Sequence, residues 1–317
     1  MRIPAEEIGN LVFGAVETEA ENGGVTYYKC TRKQREGWKT VSAALYGRSL
    51  IATGVRLDFH TDSRGFSFKA LSGRKFDLLL NGRLIQTLTE SDFDADGKSA
   101  CVSLGGGDKR VTLVFPGHDV RTTLEYIELD DGAAVRAHEF SRKMLFIGDS
   151  ITQGWHSEFD SLSYAWQTSL HFNADSVING IGGAMFCADT FDTSGFDPDI
   201  VVVAYGTNDF GYFKTLSELR ENVHEYLTLV KNAYGDKKVF CISPIWRIDE
   251  GKNRAMGSFK ECTDVIKEEI VSFGFELVDG YGLVPHDERF FDDHVHPNDL
   301  GFCMYARSLI AEIEGKL

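Results

Sequence analysis

Residues 200–209 read IVVVAYGTND. Six apolar residues run without a break, and then glycine and three polar residues end the run. A strand with one wet face alternates apolar and polar residues, whereas an unbroken run is the pattern of a central parallel strand covered on both faces. Working outward, residues 144–147 (MLFI) and 239–242 (VFCI) are further short apolar runs, with briefer ones at 176–179 and 275–278. Amphipathic stretches lie between them. The clearest opens at Thr215-x-x-Glu218, read as a capping box, and carries Leu216, Leu219, Val223, Tyr226, Leu227 and Val230 on one face. A last helix is predicted over residues 298–314. This alternation predicts a three-layer α/β/α, flavodoxin-like domain with a parallel sheet over residues 141–317.

The first 140 residues follow a different period. Val55, Leu57 and Phe59 alternate with Arg56, Asp58 and His60, the signature of a half-buried strand, and Phe66, Phe68 and Ala70 repeat it. Asn81-Gly82 joins two strand-like segments, and this dipeptide suits a type I′ hairpin turn because both residues tolerate positive φ. Residues 111–115 and 124–129 add strands, with Gly105-Gly106-Gly107 and Pro116-Gly117 as breakers. A jelly-roll-like β-sandwich of about eight strands over residues 1–140 is expected.

The chain has 317 residues, 43% of them hydrophobic, and a formal net charge of -15 from 48 acidic and 33 basic side chains. Such a field repels nucleic acid and anionic membranes. The N-terminal MRIPAEEIGN has no apolar core of a signal peptide, so a cytoplasmic location is expected. The six cysteines are scattered with no C-x-x-C pair, which suggests reduced, buried thiols.

In an open parallel sheet, ligands sit beyond the carboxyl ends of the strands. Four polar segments fall there or in loops. Gly148-Asp149-Ser150-Ile151-Thr152 follows an apolar run, and its serine reads either as an exposed nucleophile or as a helix N-cap. Asn179-Gly180-Ile181-Gly182-Gly183-Ala184 offers backbone N–H donors or is a plain loop; its spacing does not suit a dinucleotide fingerprint. Gly206-Thr207-Asn208-Asp209 can present an amide donor or a turn. Asp292-Asp293-His294-Val295-His296-Pro297 can set a carboxylate against an imidazole, or its His-x-His could bind zinc.

Together and in this order the four segments resemble the conserved blocks of the SGNH (GDSL-like) hydrolases, over residues 143–317. The resemblance implies Ser150 as nucleophile, His296 as general base with His294 as its rival, and Asp293 as the orienting acid. It implies an oxyanion hole from the Ser150 N–H, the Gly183 N–H and the Asn208 side chain, with Gly182 as the alternative glycine. It implies no metal and no cofactor. Asp149 and Asp209 are read as loop-holding residues. A sandwich ahead of such a domain is similar to carbohydrate esterase family 2, which implies an acetyl ester of a carbohydrate as substrate. Trp246 and Arg247, after the 239–242 run, and Trp155 are candidate substrate-binding residues, each with helix-to-sheet packing as its alternative. Phe210 and Tyr212 are weaker candidates. The rival functions are a short-chain lipid acylhydrolase and a non-catalytic carbohydrate-binding protein. No oligomeric state is implied.

Overall fold

The computed structural model describes residues 1–118, 121–193 and 195–317. Among these, two six-stranded antiparallel sheets precede a five-stranded parallel sheet. The parallel strands are Arg142–Gly148, Ala174–Gly180, Ile200–Ala204, Lys238–Ile242 and Glu276–Val278. Ala174–Gly180 lies at one edge, and Arg142–Gly148 sits between it and Ile200–Ala204. The order reverses around Arg142–Gly148, so the crevice of this sheet opens at that strand's C-terminal end.

The apolar runs split by strand period. Leu145, Ile147, Val201, Val203, Val239 and Cys241 enter one core. Met144, Phe146, Ile200, Val202, Phe240 and Ile242 enter the other. Helices Leu216–Tyr234 and Phe259–Ser272 cover the first face, and Tyr164–His171 and Asp299–Glu314 cover the second. At the start of Leu216–Tyr234, Thr215 accepts from the Glu218 N–H. Glu218, however, returns its carboxylate to the Lys214 N–H at 2.8 Å, one residue before the expected capping-box partner.

The N-terminal sheets contain twelve strands where about eight were expected, because short segments such as Arg2–Pro4 and Val12–Phe13 also pair. Asn81 and Gly82 close the Phe76–Leu80 and Arg83–Leu88 hairpin with φ of 51° and 77°. Two features depart from a self-contained sandwich. Residues 32–49 form helices Arg32–Val41 and Ala43–Ser49, whose Trp38 and Leu45 join the core of the parallel sheet. Strand Arg56–Thr61 is also buried on its polar side. Arg56 is 2% exposed and donates to the carbonyls of Ala174 and Ser176 at 3.2 and 3.4 Å. The expected wet face is thus a seam between the two halves.

All six cysteines are free thiols; Cys30, Cys241 and Cys262 are buried, but Cys187 and Cys303 are half-buried and Cys101 is exposed. No helix of the described residues is long and apolar enough to cross a membrane.

Candidate active site

Strand Arg142–Gly148 runs in register with both neighbours, pairing Gly148 with Gly180 and with Ala204. The segments at 148–152, 179–184 and 206–209 therefore leave the sheet side by side. Two glycines make the close approach possible. A Cβ at Gly180 would lie 2.3 Å from the Gln153 nitrogen, and one at Gly148 would lie 2.7 Å from the Ala204 oxygen. Helix Ser150–Gln153 starts immediately, with the Asp149 carboxylate accepting from the Ile151 N–H at 2.9 Å. Ser150 is thus the first helical residue and Asp149 is the cap.

Ser150 Oγ lies 2.7 Å from His296 Nε2. His296 Nδ1 lies 2.8 Å from Asp293 Oδ2, and Asp293 Oδ1 accepts the backbone N–H groups of Val295 and His296, both at 2.7 Å. Burial opposes the charge on Asp293, but these N–H bonds and the imidazole outweigh it and hold the carboxyl down at about 2. An ionised Asp293 sets the His296 tautomer, with Nδ1 protonated and Nε2 free to accept from the serine hydroxyl. Burial lowers the proton affinity of His296 below the ordinary imidazole value, more than Asp293 raises it. His294 is exposed, and its carbonyl accepts from the Ile248 N–H; it does not reach Ser150.

The two glycines of the second loop differ. The Gly182 N–H donates to Gln153 Oε1 at 2.8 Å. The Gly183 N–H, at φ +85°, has no partner among the described residues, and neither has the Ser150 N–H. Asn208 Nδ2 donates to the Ala184 carbonyl at 2.9 Å, which fixes its amide and leaves one N–H available.

Asp149 and Asp209 are buried beneath these loops, and burial pushes each carboxyl up to about 7. Asp209 Oδ1 accepts from the Phe186 N–H at 2.9 Å and so ties the third loop to the second.

The aromatic candidates separate. Trp155 is half-buried at the site, its ring 5.8 Å from that of His118 and 6.0 Å from the Arg48 guanidinium carbon. Trp246 stacks on His286 at 5.3 Å and donates to Glu250 at 3.0 Å, so it walls the neighbouring loop. Arg247 does not suit a ligand-binding role. It is 4% exposed, pairs with Asp249 at 2.5 Å and donates to the Thr207 carbonyl at 3.2 Å, holding the 206–209 turn from below. Phe210 is fully buried against Phe259, and Tyr212 is 51% exposed.

Sequence reading missed His156. It has a φ of 72°, lies 2.6 Å from Asp292 and 3.4 Å from Asp293 Oδ2, and its ring stands 5.2 Å from that of His296. His156, Asp293 and His296 bring ligand-type atoms within 4.8 Å of one another, a different set from the His-x-His considered for zinc. A cation there would take Asp293 and His296 from their bonds to each other. No short-range motif marks His156; its relation to Asp293 spans 137 positions of the numbering.

Residues 146–302 match the model of the GDSL-like lipase/acylhydrolase family. The chain is a carboxylic ester hydrolase, and its parallel-sheet part belongs to that family. The family resemblance read from the four segments is borne out. No curated protein matches the sequence. A salicylyl-acyltransferase, SsfX3, from a tetracycline biosynthetic pathway is similar in structure, with 17% identity, a TM-score of 0.81, and coverage of 99% of this chain and 97% of that one. A family two carbohydrate esterase from Clostridium thermocellum, solved with cellohexaose, has 16% identity, a TM-score of 0.70 and coverage of 96% and 98%. An acetyl xylan esterase from the rumen bacterium Butyrivibrio proteoclasticus has 16% identity, a TM-score of 0.68 and coverage of 100% and 99%. These likenesses establish a shared architecture, with the sandwich ahead of the parallel sheet.

Proposed function

We propose that the chain hydrolyses short-chain esters, acetyl esters of carbohydrates foremost, through an acyl-enzyme on Ser150. The observation that carries the chemistry is the continuous relay from Ser150 Oγ to His296 at 2.7 Å and from His296 to Asp293 at 2.8 Å. The Ser150 hydroxyl attacks the ester carbonyl while its proton passes to His296 Nε2. The tetrahedral oxyanion takes hydrogen bonds from the Ser150 N–H, the Gly183 N–H and the free amide hydrogen of Asn208; one such donor typically changes kcat by about 10²–10³. His296 then protonates the departing alkoxide, leaving the acyl group on Oγ. Water, giving a proton to His296, attacks that ester; the acid leaves and Ser150 regains its proton.

The carbohydrate part rests on the architecture shared with the Clostridium and Butyrivibrio esterases, and on Trp155, a half-buried ring beside the nucleophile on which a sugar could stack. The likeness to an acyltransferase favours a second outcome of the same intermediate, in which a sugar or other alcohol replaces water. The test is a panel of acetylated oligosaccharides and of acetyl and octanoyl nitrophenyl esters, with Ser150→Ala as control. Acetyl preference and loss of activity in Ser150→Ala are expected. A preference for octanoyl would replace the acetyl-sugar reading with a lipid acylhydrolase, and full activity in Ser150→Ala would remove the nucleophile.

A further inference from the structure

The N-terminal half reaches into the site through Arg48. This residue lies in the last turn of helix Ala43–Ser49, which Leu45, 5% exposed, anchors in the core of the parallel sheet. Arg48 Nη1 donates to the Gly182 carbonyl at 2.7 Å. That carbonyl and the Gly183 N–H belong to one planar trans peptide and point in opposite directions. A cation bonded to the oxygen therefore fixes where the N–H aims. It also polarises the group, because hydrogen bonds along one peptide strengthen each other.

The preceding peptide is held from the same side. Gln153 Oε1 accepts from the Gly182 N–H at 2.8 Å, and Gln153 Nε2 donates to the carbonyl of Gly117 at 2.7 Å. Gly117 also belongs to the N-terminal half. Gly183 leaves room for this approach, since a Cβ there would stand 2.8 Å from Arg48 Nη1.

We infer that Arg48 is a positioning residue for the oxyanion-stabilising peptide, so that the N-terminal half acts on the chemical step and not only on substrate capture. This rests on the reading of Gly183 as an oxyanion donor. Arg48 touches no reacting atom; it aims and polarises the Gly183 N–H.

The experiment uses the full chain with p-nitrophenyl acetate. Arg48→Met keeps the apolar stem and removes the cation. Its kcat is expected to fall about 10- to 100-fold with KM within about threefold, less than the loss of an oxyanion donor itself. Arg48→Lys restores a donor to the carbonyl and is expected to recover most of that loss. Phosphonylation of Ser150 by a p-nitrophenyl phosphonate, followed by mass spectrometry, uses the same oxyanion donors and is expected to slow in parallel with kcat. Should Arg48→Met fail to fold, Arg48→Lys against wild type carries the test, with a smaller drop in kcat and in phosphonylation rate expected together. The inference is overturned if kcat and phosphonylation stay within threefold of wild type, or if KM alone carries the loss, which would make Arg48 a substrate contact. Ser150→Ala in the same assay keeps the two readings apart. An inactive Ser150→Ala with an unimpaired Arg48→Met removes only the role of Arg48, whereas an active Ser150→Ala removes the reading beneath it.

Discussion

In the proposed mechanism His296 must be neutral to take the serine proton, so the acid limb of kcat/KM would report its ionisation. Burial lowers that proton affinity below the ordinary value of 6.5, and the limb is therefore expected below pH 6.5. His156 adds to the lowering when it is charged. His156→Gln should move the limb to higher pH while leaving the plateau within about threefold, as expected when a neighbouring charge and not a reacting group is removed. A pH–rate profile showing no displacement would leave His156 without influence on the base. Asp293→Asn removes the partner of Nδ1 and permits the wrong imidazole tautomer. We expect kcat to drop about 10³- to 10⁴-fold, measured at the pH of the wild-type plateau. His294→Gln, at an exposed residue away from Ser150, should leave kcat near wild type.

At the scale of elements, the site depends on loops that leave the sheet in register and then touch. Gly180 is one point of contact, and Gly180→Ala would press a methyl onto the Thr152–Gln153 backbone. Overpacking of this kind costs about 1–3 kcal/mol, to be read as a lower urea midpoint at unchanged m-value. The buried pair Asp149 and Asp209 makes the loops sensitive to pH. Burial raises both carboxyls from 3.8 to about 7 in the folded chain. Between those values the folded state binds more protons than the unfolded one, so stability is fully present below about pH 3.8 from these groups and is lost as pH rises through about 7. Asp209→Asn should flatten the fall of Tm between about pH 4 and 7, with the Phe186 N–H still able to find an acceptor. A slope equal to wild type would mean that Asp209 is ionised throughout.

At the scale of the whole molecule, the two halves share cores and an edge. Ala174–Gly180 is an edge strand of the parallel sheet, and open edges invite pairing with other chains. Arg56 covers it by donating to the Ala174 and Ser176 carbonyls, with Asp58 and Asp175 at 3.5 and 3.7 Å as counter-charges. Gly54 packs against Ile178 from the same side, where a Cβ would come within 2.8 Å. Arg56→Met would strand the carboxylate of Asp175 and two carbonyls in the seam. Removing one partner from such a buried pair costs about 3–5 kcal/mol. Calorimetry should show a lower Tm and, as the seam weakens, two transitions in place of one.

Local chemistry determined much of this protein. Continuous apolar runs separated by amphipathic stretches specify a parallel sheet, alternation and Asn81-Gly82 specify antiparallel strands, and four polar segments specify which family the parallel sheet serves. Those signals are short-range, and they survive in the sequence because backbone period and turn geometry depend on neighbours a few residues apart. What the tertiary structure decided lies between distant segments. It placed Arg56 in a seam where alternation suggested water, and it buried Arg247 beneath a turn where a loop position suggested a ligand contact. It engaged the Gly182 N–H with Gln153, which left Gly183 open. It also brought His156 to Asp293 and Arg48 to the Gly182 carbonyl. The Arg56, His156 and Arg48 contacts pair polar groups across more than a hundred residues, the Arg247 contact with Thr207 spans 40, and the glycine loop makes a choice between adjacent N–H groups. Only the packed chain determines which partners remain once water is excluded.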